Sequence, residues 1–167
     1  MKKIAQLFSV LLLLACFSCR ERKITVDNAF ADAREYIASK FDKKKILDNE
    51  SFVMFTTPDS TSYILKKANI IIGDLNKDNL PDVIISYIVV SKDKSFSTKH
   101  VIFLNDKGDL IPKKEFQMEI FIKKIADGII FAEKSRIASD SPNYGCLACM
   151  EKISYRFEKD SLIQITK

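Results

Sequence analysis

Apolar positions follow three different rhythms along the chain. Ile4 to Ala15 is a nearly unbroken apolar run behind the positive start Met1-Lys2-Lys3. Ala29, Phe30, Ala33, Ile37 and Phe41 recur at three- and four-residue spacing, which puts them on one stripe and predicts a helix from Asp27 to Phe41. Thr25 or Asp27 is placed to cap it, and Asp42-Lys43-Lys44-Lys45 ends it. From there on the pattern is β. The predicted strands are Ser51–Thr57, Tyr63–Lys66, Asn69–Ile72, Val83–Val90, Lys99–Leu104, Phe116–Ile125, Ile129–Arg136, Ile153–Glu158 and Leu162–Thr166, with short polar turns between them. Asp127-Gly128 is a strong two-residue hairpin signal. One helix followed by eight or nine strands predicts an α+β fold, the N-terminal helix packed on a mainly antiparallel β-sheet.

The apolar run at the start is too short to span a membrane, which takes about 20 residues. Its length and its charged flank suit the core of a cleaved signal peptide. Leu13-Leu14-Ala15-Cys16 resembles the lipobox of bacterial lipoproteins. The resemblance implies cleavage before Cys16 and a diacylglycerol on its thiol. Cys19, preceded by Ser18, is the alternative lipidation site. The implied organisation is a signal peptide at 1–15, a lipidated tether at 16–24 and a single domain at 25–167. It places the protein in the cell envelope, anchored to a bacterial membrane and facing the periplasm or the exterior. Several acyl chains hold a domain stably, since each buried CH₂ contributes about 0.8 kcal/mol.

Charge narrows the partners. The chain carries a formal +5, and losing Lys2 and Lys3 leaves +3, spread thinly. No basic stripe is interleaved with aromatics, so nucleic acid is not an expected partner. The expected partners are the membrane, through the lipid, and an envelope protein. A single histidine, four glycines and no G-x-S-x-G string give no catalytic triad and no phosphate loop, so an enzyme is not expected.

Two motifs carry candidate chemistry. In Gly73-Asp74-Leu75-Asn76-Lys77-Asp78-Asn79-Leu80-Pro81-Asp82, oxygen side chains stand at i, i+2, i+4 and i+8. A curled loop with an oxygen at every second residue suits calcium, a hard ion that takes six to eight oxygens. The string resembles the D-x-[DN]-x-D-[GN]-x-x-D loop of FG-GAP and VCBS-type repeats. That resemblance implies structural calcium held by Asp74, Asn76, Asp78 and Asp82, with the Leu80 carbonyl as a further ligand. Asn79 stands where glycine is usual, and Asn tolerates a left-handed backbone. Only one copy is present. Ile85 occupies the place of the EF-hand glutamate, so the loop is not an EF-hand.

The second motif is Cys146-Leu147-Ala148-Cys149. Outside the cytoplasm the first expectation is a disulfide between Cys146 and Cys149. Reduced structural thiols, or an envelope thiol-disulfide or metal-handling role, are the alternatives. A closed zinc site wants about four ligands, and His100 is the only histidine.

Overall fold

The computed structural model describes residues 22–137 and 146–165. The lipobox cysteines, Cys16 and Cys19, lie outside them. Among the described residues one helix and ten strands are found. The helix, α1 (Val26–Ser39), is followed by β1 (Lys45–Asp48), β2 (Phe52–Thr56), β3 (Ser62–Gly73), β4 (Asp82–Val90), β5 (Phe96–Asp106), β6 (Asp109–Gln117), β7 (Phe121–Ala126), β8 (Ile129–Ser135), β9 (Met150–Glu158) and β10 (Ser161–Gln164). All pairings are antiparallel. They build a six-stranded meander in the order β1-β2-β3-β4-β5-β6 and a four-stranded sheet in the order β10-β9-β8-β7.

Three layers result, each set by side-chain periodicity. Thr25 caps α1, its hydroxyl accepting from the Asn28 N–H at 3.2 Å. Ala29, Phe30, Ala33 and Ile37 form the buried stripe. Ala29 and Ala33 are fully buried, and their small side chains let the helix approach the sheet closely. The stripe packs on Val53, Phe55, Leu65, Val83, Ile85, Tyr87, Val101 and Phe103, which share one face of the large sheet. The opposite face contributes Ile84 and Ile102 to a second core, closed by Leu75, Ile120, Ile125, Ile130, Ala132, Tyr155 and Phe157. The first half of β4 therefore buries both faces, which is why Val83-Ile84-Ile85 is a continuous apolar run instead of an alternating one.

The helix does pack on an antiparallel sheet, as expected, but the fold is β-rich and not clearly α+β. Part of the second face of the large sheet is covered by another sheet. Two strands arise where none is predicted, β1 and β6. Tyr63–Lys66 and Asn69–Ile72 are one long strand, interrupted by a bulge between Leu65 and Ile70. Phe116–Ile125 is not one strand. Phe116 pairs with His100 in the large sheet, and Phe121 begins the small one.

Candidate functional site

Gly73 ends β3 against the small sheet. A Cβ at this position would lie 2.6 Å from the Ile125 Cβ, so only glycine lets β3 and β7 meet this closely. The loop that follows folds on its own oxygens. Asp74 accepts the N–H of Lys77 on Oδ1 (2.6 Å) and the N–H of Asn79 on Oδ2 (2.9 Å). Asn76 Oδ1 accepts from the Asp78 N–H at 3.1 Å, and Asp78 Oδ1 from the Leu80 N–H at 2.8 Å. Asn79 has φ 66°, the left-handed backbone that its position requires, and Lys77 has φ 65° as well. Asn76 Nδ2 donates to Asp78 Oδ2 at 2.7 Å, so an amide N–H meets the oxygen that a cation would otherwise face. Leu75 is 2% exposed and anchors the loop in the inter-sheet core.

Asp82 is the most deeply buried of the loop's oxygen-bearing side chains. It is fully buried, with Oδ2 accepting from the Leu75 N–H (2.8 Å) and Oδ1 from the Asn105 N–H (2.9 Å). Burial pushes its carboxyl above the usual carboxylate range, outweighing these two bonds. Asp74, Asn76 and Asp78 lie together on the exposed side, while Asp82 serves the fold beneath. Among the described residues no group of three or more acidic, histidine or cysteine side chains converges to hold a metal ion. The side-chain donors that fit calcium are the oxygens of Asp74, Asn76 and Asp78, supplemented by the Leu80 carbonyl. All are hard ligands of the kind calcium takes.

Cys146 and Cys149 are joined as a disulfide with their Cα atoms 5.2 Å apart. The pair flanks a single 3-10 turn, Leu147–Cys149, that leads into β9. The Cys149 carbonyl accepts from the Arg136 N–H at 3.0 Å, tying the turn to the end of β8.

Two polar constellations escape a reading of the sequence. His100 is fully buried. Its Nδ1 lies 2.7 Å from Ser86 Oγ and its Nε2 3.0 Å from the Met118 carbonyl, with the ring stacked on Phe116 at 4.9 Å. A carbonyl only accepts, so Nε2 carries the proton and Nδ1 accepts from the serine hydroxyl. Burial lowers the pKa of this imidazole. The second constellation surrounds Glu115, which is bonded by Lys40, by Lys99 at 3.3 Å and by the Tyr36 hydroxyl at 3.3 Å. Burial alone would raise Glu115, but Lys40 and Lys99 overcome it and hold the carboxyl below its ordinary value. Neither group stands out in sequence. A lone histidine in a strand and a glutamate in a charged stretch carry no spacing signal.

No family model, no curated protein and no solved structure matches this chain. No helix among the described residues is long and apolar enough to cross a membrane.

Proposed function

We propose that the chain is an exported, lipid-anchored envelope protein with a binding or structural role, carrying one calcium loop that braces its β-sandwich. The observation that supports the loop is its local fold. Alternate side-chain oxygens of Asp74, Asn76 and Asp78 curl over their own backbone N–H groups, with Lys77 and Asn79 left-handed. A cation at the exposed side would relieve the repulsion between Asp74 and Asp78 and take the place of the Asn76 amide beside Asp78. The loop sits on Leu75, and the β7–β8 turn lies against it. A Cβ on Gly128 would meet the Leu75 carbonyl at 3.2 Å. A clip here would brace the joint between the two sheets. Calcium titration of thermal stability tests the loop. Mass spectrometry of the mature N-terminus tests the anchor: a diacylated Cys16, lost in Cys16→Ala, supports it, whereas an unmodified N-terminus rejects it.

A second reading is an envelope thiol-disulfide protein. The joined Cys146 and Cys149, both partly exposed, favour it. Thiol labelling before and after mild reductant discriminates. A pair that stays oxidised and inert argues against redox work.

A further inference from the structure

Residues 22–24 belong to the fold. Arg22 grips α1 with a two-pronged ion pair, Nη1 to Asp32 Oδ2 at 2.9 Å and Nη2 to Asp32 Oδ1 at 3.1 Å. The Lys23 carbonyl accepts from Asn28 Nδ2 at 2.7 Å, and Ile24 is buried in the core beneath the helix. The Arg22 backbone lies against the turn between β5 and β6, where a Cβ on Gly108 would stand 2.7 Å from its nitrogen. The chain therefore enters the domain at a fixed point, at one tip of the large sheet.

Three turns share that tip. Asp82 joins Leu75 of the β3–β4 loop to Asn105, beside the β5–β6 turn. The β7–β8 turn touches the same loop, since a Cβ on Gly128 would meet the Lys77 Cε at 2.8 Å. Exposed charges of both signs cover the tip, Lys77 and Lys107 standing among Asp78, Asp106 and Asp127. The turns at 57–61 and 91–95 lie at the opposite tip, as the antiparallel register requires.

Between the tips β5 runs for 11 residues, about 33 Å of strand at 3.3 Å per residue. From Cys16 to Arg22 the chain stretches over no more than about 21 Å, and from Cys19 to Arg22 over about 11 Å. A lipid on either cysteine is thus held too close for the domain to stand on the far tip. We propose that the domain stands with the Arg22 tip against the bilayer, its three turns in the headgroup layer of a membrane rich in zwitterionic lipid. This rests on the lipid-anchor reading given above. Phosphate and ammonium groups alternate in such a layer and pair with the lysines and carboxylates of the turns. A strongly anionic surface fits less well, because these turns carry more carboxylates than lysines.

The test is paramagnetic broadening of amide signals in calcium-free buffer. The full lipidated chain is held in nanodiscs of phosphatidylethanolamine and phosphatidylcholine, doped with a gadolinium-chelating lipid. The signals of Lys77, Lys107 and Asp127 should lose most of their intensity, and those of Asp59 and Lys92 should keep theirs. A twenty-residue Gly-Ser insertion after Arg20 should even out the two sets, since it adds about 25 Å of average reach. A chain that fails to float with lipid vesicles overturns the anchor and this proposal together. A chain that floats but shows even broadening, or broadening at the far tip or along one sheet edge, overturns this proposal alone. An insertion that leaves the pattern unchanged does the same.

Discussion

Asp82 at the start of β4 accepts the backbone N–H of Asn105 at the end of β5, 2.9 Å away, from a fully buried position. Its other oxygen holds Leu75, so one carboxylate ties the β3–β4 loop to the turn between β5 and β6. The tie is continued by Asn105 Oδ1, which accepts the Gly108 N–H at 2.7 Å. Asp82→Ala would strand two buried N–H groups. The expected loss is about 3 kcal/mol, read as a lower urea midpoint at an unchanged slope. A loss under about 0.5 kcal/mol, the range of ordinary surface substitutions, would mean that the tie is not structural.

Gly73→Ala should force β3 away from Ile125, since the added Cβ would lie 2.6 Å from the Ile125 Cβ. The cost expected for such overpacking is about 1–3 kcal/mol. Ile125→Val in the same chain should not recover it, because valine keeps the Cβ and Cγ2 that the added methyl would meet. Thermal melts of both variants read this out, and a wild-type melt for Gly73→Ala would refute the close sheet contact.

His100 makes the fold sensitive to mild acid. Burial lowers its folded pKa below the ordinary 6.5. As pH falls below about 6.5, the unfolded chain takes up a proton that the folded chain refuses, so stability drops. The drop levels off below the folded pKa. Glu115 acts in a separate window. Held below its ordinary 4.5, it stabilises the fold above that pH and is lost only in stronger acid. Urea midpoints from pH 8 to pH 5 should therefore fall for the wild type. His100→Gln should start less stable at pH 8 but run flatter, and an equal slope in both proteins would remove His100 from the account.

The Cys146–Cys149 disulfide closes a very short loop. Chain entropy then gives it about 2 kcal/mol or less. Cys146→Ser/Cys149→Ser should melt within a few degrees of the wild type, whereas collapse of the fold would show that the pair does more than close its own turn.

Much of this architecture can be read from the residues, and the failures have physical causes. The α1 stripe, the Thr25 cap, β4 and the Asp127-Gly128 hairpin follow from periodicity and turn chemistry alone. β1 is exposed along its whole length, so Lys45-Ile46-Leu47-Asp48 has no buried face to leave an imprint. β6 is an edge strand bearing Lys113, Lys114 and Glu115, and its charges mimic a loop. Phe116 and Ile125 share an apolar run but belong to different sheets, and no local pattern marks where the chain crosses. At the site, the left-handed Asn79 is legible from its residue type. The burial of Asp82 and its bonds to the Leu75 and Asn105 N–H groups are not, because spacing records which oxygens exist and not which backbone groups claim them.

The calcium loop is tested most directly by thermal melting in calcium, in magnesium and in chelator, for the wild type and Asp78→Ala. Extracellular-type loops bind at about 10⁻⁴–10⁻³ M. Calcium at ten times Kd should then stabilise by about 1.4 kcal/mol, or roughly 3–6 °C for a domain of this size. The account predicts that rise in the wild type with calcium, little with magnesium, and none in Asp78→Ala. Asp78→Ala should melt near the wild type in chelator, because it gives up only exposed bonds. An unchanged wild-type melt in 10 mM calcium, about ten times the weakest expected Kd, or an equal rise in Asp78→Ala, would contradict it.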